Sequence, residues 1–111
     1  MKTVKEIVSK YDLSSQEKIE FKLFDKWNYK IPKGWYGFDL EGTPCVWWQI
    51  IDEFLDEVNK ECPNFEIQQV KIKFGQIRIY LNLKTTQEKS KEINKEINEL
   101  ENILFDKNLI Y

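Results

Sequence analysis

Four carboxylates, Asp52, Glu53, Asp56 and Glu57, stand at spacings that place side chains three and four residues apart side by side on a helix. Such a set could act as a general acid and base, or hold a divalent cation. Nothing in the flanking sequence implies an apolar pocket that would raise a carboxyl pKa, so the four read more simply as the solvent face of an amphipathic helix. The only thiols are Cys45 and Cys62, and the chain contains no histidine. That absence removes Ser-His and Cys-His nucleophile pairs, histidine-containing zinc sites and the usual near-neutral general base. If the two cysteines end one helix, 17 steps of about 1.5 Å set them about 25 Å apart. A disulfide needs Cα atoms within about 7 Å, so two reduced thiols are expected, with no metal and no cofactor.

The second constellation is basic. No acid occurs between Lys71 and Lys84, a stretch that holds Lys73 and Arg78, the sole arginine; Asp39 to Glu61 carries seven acids and one base, Lys60. Interleaved with the cations are Gln69 and Tyr80. Fork donors and flat rings suit recognition of an acidic partner or of a single nucleic-acid strand. The alternative is a solvated sheet face whose charges are met by the acidic helix of the same chain. Trp35 and Tyr36 are loop aromatics free to reach a partner. Adjacent Trp47 and Trp48 read as helix packing rather than as a stacking platform.

These residues must be positioned by a small number of elements. Thr3 and Glu6 have capping-box spacing, and Val4, Ile7, Val8 and Tyr11 follow on one helical face. Over residues 15–27 two readings stay open: Ser14 with Glu17 could cap a helix, while Ile19, Phe21 and Leu23 alternate with Glu20 and Lys22 as in a strand, the slightly favoured reading. From Trp27 to Gly42, glycines among aromatics predict a loop folded onto the core. Thr43-Pro44 predicts a helix start, with Thr43 capping, and a helix running to about Glu61 before Cys62-Pro63-Asn64 breaks it. Its apolar face is Trp47, Ile51, Phe54, Leu55 and Val58.

Glu66–Phe74 and Gln76–Leu83 alternate as two strands joined at Gly75, a hairpin. Val70, Ile72, Phe74, Ile77, Ile79, Leu81 and Leu83 are expected inward; Gln69, Lys71, Lys73, Arg78, Tyr80 and Asn82 then share the outer face. Thr85 with Glu88 predicts a capped C-terminal helix whose apolar line is Ile93, Ile97, Leu100 and Leu104. The sum is one α+β domain over residues 1–111, helices packed on a small antiparallel sheet built around the hairpin.

Length and composition agree with that size. At 111 residues, 41% hydrophobic and 14% aromatic, the chain can bury one core. A net charge of −2 announces neither a strongly basic duplex-DNA binder nor a strongly acidic mimic. No window approaches the roughly 18 apolar residues of a membrane span, and the first ten residues lack the continuous apolar run of a signal peptide. The expected location is the cytoplasm.

Trp35-Tyr36-Gly37-Phe38, then Trp47-Trp48-Gln49-Ile50-Ile51-Asp52, then the hairpin Gln69-Val70-Lys71-Ile72-Lys73-Phe74-Gly75-Gln76-Ile77-Arg78-Ile79-Tyr80 resemble a family of small uncharacterised phage and bacterial proteins. That family has a W-G-F-like turn, a GW-initiated helix and a QVKxKFGxLRxY hairpin. Val46 stands here in place of the glycine before tryptophan, and the cysteine motif that trails some members is missing, so no metal role is carried over. The resemblance implies a shared fold and a phage or prophage setting inside a bacterial host cell, with no activity attached. The residues it singles out are Gln69, Lys71, Lys73, Phe74, Gly75, Arg78 and Tyr80.

The functional expectation is a noncatalytic binding protein of phage or mobile-element origin that engages a host or defence protein through the basic hairpin face, with Trp35 and Tyr36 alongside. The first alternative is a single-strand nucleic-acid binder. The second is a small carboxylate- or thiol-dependent enzyme, which would need a cleft with converging acids.

Overall fold

The computed structural model describes residues 1–17 and 22–106. Helix α1 (Val4–Val8) opens in the expected capping box: Thr3 Oγ1 accepts the Glu6 N–H at 3.2 Å and the Glu6 carboxylate accepts the Thr3 N–H at 3.5 Å. Helix α2 (Leu23–Trp27) runs on into a 3-10 turn at Asn28–Lys30. Leu23 is therefore buried on a helical turn and not on a strand. Ile19 and Phe21, the other positions of that expected strand, lie outside the described residues.

After a loop come strand β1 (Gly37–Asp39), helix α3 (Cys45–Glu61), strands β2 (Glu66–Lys73) and β3 (Gln76–Asn82), and helix α4 (Gln87–Ile103). Both long helices start one residue later than their sequence signals suggest. Pro44, in extended conformation, is the N-cap of α3, and Thr43 does not cap. The Thr43 hydroxyl instead donates to the Leu40 carbonyl at 2.7 Å and accepts the Trp48 indole N–H at 2.5 Å, which satisfies the buried hydroxyl and the half-buried indole at once. At α4 the cap is Thr86 rather than Thr85, its oxygen accepting the Lys89 N–H at 3.3 Å.

The sheet order is β1-β2-β3. The hairpin β2-β3 is antiparallel, as its sequence demands, but β1 joins β2 in parallel, so the sheet is mixed. Parallel neighbours need a crossover, and α3 supplies it, giving a β-α-β unit that runs directly into the hairpin. Strand β1 is only three residues long and begins at Gly37, whose φ of 69° is rare in strands; that is why this segment reads as loop.

The hairpin turns through Phe74 and Gly75, at φ of 54° and 77°. Two consecutive positive φ values are those of a type I′ turn, whose twist matches the strands. Phe74 consequently belongs to the turn and is 57% exposed, against the expectation that it faces the core. A second irregularity sits in β2, where the register shifts between Ile67 and Gln69. The extra residue, Gln68, lets Ile67 and Val70 both face inward although they are three apart, and both are fully buried.

Ile67, Val70, Ile77 and Ile79 pack in one core with Trp47, Ile50, Ile51, Phe54, Leu55 and Val58 of α3 and with Ile93, Ile97 and Leu100 of α4. The open edge of β3 is covered by the end of α4. Ile77 donates its N–H to the Leu104 carbonyl at 3.0 Å and Ile79 to the Glu101 carboxylate at 2.9 Å. These bonds remove the unpaired donors that would invite edge-to-edge association.

Candidate functional site: the outer face of the sheet

Strand alternation brings five of the expected residues together. The cross-strand pairs are Gln69 with Tyr80 and Lys71 with Arg78, while Lys73 pairs with Gln76 at the turn. All lie opposite the buried row of Ile67, Val70, Ile77 and Ile79, and their burial is correspondingly lower: Gln69, Lys71 and Arg78 are half-buried, Lys73 is exposed and Tyr80 is 45% exposed. Lys71 Nζ lies 6.0 Å from the Tyr80 ring centroid and Lys73 Nζ 5.8 Å from that of Phe74. These are weak, exposed cation–π contacts.

The parallel register adds a residue that hydrophobic alternation alone did not assign to this face. Asp39 pairs with Lys71, so Asp39, Lys71 and Arg78 form one row across three strands. No ion pair forms: among the described residues, no salt bridge involves Lys71, Lys73, Arg78, Asp39 or Glu41. Lys84 alone of the basic stretch is paired, to Glu66 at 3.0 Å.

The acids of α3 are used elsewhere, and this is the main departure from the sequence reading. Asp52, Glu53, Asp56 and Glu57 do not form a bare solvent face. Asp52 accepts the Trp27 indole N–H at 2.9 Å and meets Lys26 at 2.9 Å; Asp56 meets Lys26 at 3.1 Å. Glu53 pairs with Lys10 and accepts the Tyr11 hydroxyl at 3.1 Å. Glu57 is only 5% exposed, with its carboxylate accepting the Lys2 backbone N–H at 2.8 Å and the Lys60 ammonium at 2.9 Å. Those two donors hold the Glu57 carboxyl below the usual range despite burial. Burial pushes Glu53 up, but Lys10 and Tyr11 outweigh it and the net direction is also down; burial and the neighbouring Glu53 raise Tyr11. The pairs with Lys10, Lys26 and the Lys2 N–H tie α3 to the N-terminal elements, and the lowered titration of Glu53 and Glu57 is the opposite of what a general acid requires.

At the far end of the sheet a cleft of about 650 Å³ is lined by Asp39, Glu41, Gly42, Ile72, Lys73 and Phe74. Here Phe74, which the sequence reading placed in the core and the family resemblance singled out, becomes a wall of the surface. Trp35 and Tyr36, 48% and 76% exposed, stand at the other end, where the Tyr36 N–H donates to the Gln68 carbonyl at 3.2 Å. They flank the bulge rather than the Lys71–Arg78 row. Cys45 and Cys62 occupy the two ends of α3 as free thiols. Among the described residues no group of three or more Cys, Asp and Glu side chains is placed to hold a metal ion, and no helix is long and apolar enough to cross a membrane.

The surface is thus a three-stranded sheet face, cationic at its centre, acidic at one corner and aromatic at both ends. Comparison of the chain with protein-family models, with curated proteins and with solved structures gives no match.

Proposed function

We propose that this is a noncatalytic binding protein that engages an acidic protein surface through the outer face of its sheet, with Lys71, Lys73 and Arg78 at the centre and Gln69 and Tyr80 beside them. One observation carries the reading: the acids of α3 are spent on Lys2, Lys10, Lys26 and Lys60, while the three hairpin cations have no acidic partner among the described residues. Cations with no internal acidic partner contribute little to folding through charge and are available to a ligand. The hairpin's resemblance implies only a phage or prophage setting inside a bacterial host cell; a host or defence protein as the target is part of this proposal.

A single nucleic-acid strand is the rival for the same face, favoured by Tyr80 between lysines. Asp39 and Glu41 at its corner weigh against a phosphate backbone running across it. The test is capture from host lysate, in nuclease-treated and untreated arms, by the wild-type protein and by the K71Q/K73Q/R78Q variant. Neutralisation is preferred to reversal because new carboxylates at positions 71 and 78 would stand in line with Asp39. The expected result is one defined protein captured in both arms, lost with the triple variant and weakened by added salt. Capture that vanishes with nuclease, or that survives in the folded triple variant, overturns the reading.

A further inference from the structure

The geometry points to an oxyanion seat at the cross-strand pair Lys71–Arg78, built to take one aspartate or glutamate side chain of the partner; this rests on the reading above and names the group that docks. Three observations converge. Lys71 and Arg78 are direct cross-strand partners, an arrangement of like charges that mildly destabilises a sheet and that a bound anion would relieve. Neither has an acid within ion-pair distance among the described residues, although Asp39 is in register on the far side of Lys71. Arg78 Nε is shielded from solvent and has no hydrogen-bond acceptor, a donor left open in an otherwise satisfied fold. It is the one buried side-chain nitrogen or oxygen so left among the described residues.

Carboxylate chemistry fits these three facts. The Nε–H and one terminal N–H of a guanidinium form a planar fork that a carboxylate accepts with two parallel bonds. Because Nε is shielded, docking requires the half-buried side chain to rotate until Nε–H faces outward, where the cross-strand neighbour Lys71 can meet the same anion. Asp39 limits the site to one negative group, because a second anion displaced toward β1 meets a carboxylate. A phosphodiester chain, with a charge at every residue, cannot avoid it; one acidic side chain reaching in from a partner can.

Arg78 is the only arginine in the chain, so its Nε–H gives a single resonance in a ¹H–¹⁵N spectrum of the intact protein. Titration with N-acetyl-glutamate amide at constant ionic strength is expected to move that resonance saturably, with affinity about threefold weaker in K71Q. Dimethyl phosphate is expected to bind less tightly than the carboxylate. A resonance that moves no more than in matched chloride, an unchanged affinity in K71Q, or tighter binding of dimethyl phosphate each overturns the proposal. The two readings fail separately. A silent Arg78 resonance beside normal loss of capture in the triple variant removes the seat and leaves the face; a responsive resonance beside undiminished capture does the reverse.

Discussion

Replacing Arg78 by glutamate is expected to raise the stability of this protein while abolishing partner capture. Lys71 and Arg78 face each other across β2 and β3, which sets their Cβ atoms about 5 Å apart. With charged ends about 6 Å apart, the repulsion in water is about 0.7 kcal/mol. Screening at physiological salt, with a Debye length of about 8 Å, halves it to about 0.35 kcal/mol. Reversing one sign turns this into an equal attraction, a swing of about 0.7 kcal/mol in favour of folding. The lost packing of the arginine stem returns a few tenths, leaving a gain of about 0.5 kcal/mol or a midpoint about 2 °C higher for a chain of this length. The new row, Asp39, Lys71 and the introduced carboxylate, alternates in sign across the sheet. Lys71→Glu provides the control: its new acid faces Arg78 favourably and Asp39 unfavourably, so its midpoint should stay within about 1 °C of wild type. Thermal melts at 0.15 and 1 M salt measure all three proteins. A fall in midpoint for Arg78→Glu, or a gain that persists at 1 M salt, would refute the electrostatic argument and recast Arg78 as a residue that holds the sheet.

Three further outcomes follow from the packing. Glu57→Gln should cost about 1 kcal/mol at pH 7, because the buried carboxylate's charge-assisted bond from the Lys2 N–H is weakened and its pairing with Lys60 is lost. The wild-type carboxyl titrates below its unfolded value, so its contribution is present above about pH 4.5 and fades as the pH falls through the folded pKa; the stabilities of wild type and variant should converge as the pH is lowered through that range in denaturant titrations. Trp47→Ala, at a buried position of α3, should cost about 3 to 5 kcal/mol by chemical denaturation, and near-wild-type stability would show that the indole is not part of the core. Phe74→Asn places a residue tolerant of positive φ at the first central position of the type I′ turn and should stabilise the hairpin by about 1 kcal/mol; a lower midpoint would mean that the ring contributes more by contact than its backbone costs.

Periodicity determined much of this molecule by itself. The apolar lines of α3 and α4 are legible because a 3.6-residue repeat leaves one stripe to bury, and the hairpin because strict alternation on both sides of Gly75 admits one pairing. The same alternation placed Gln69, Lys71, Lys73, Arg78 and Tyr80 on one face. Local signals erred where two adjacent residues competed for one role, as at Thr43 against Pro44 and Thr85 against Thr86, since either neighbour can begin a helix and only packing chooses between them. Beyond reach altogether were the facts that depend on distant partners. Strand β1 exists because β2 offers it a parallel edge, and Gln68 bulges so that Ile67 and Val70 can both enter the core. Charge was the least legible property. An acidic helix and a basic hairpin in one sequence invite each other, yet α3 turns its carboxylates to lysines of the N-terminal elements and the sheet presents its cations on the opposite side of the core. Ion pairs are chosen by tertiary proximity, because the Coulomb term falls within a Debye length and carries no memory of sequence distance.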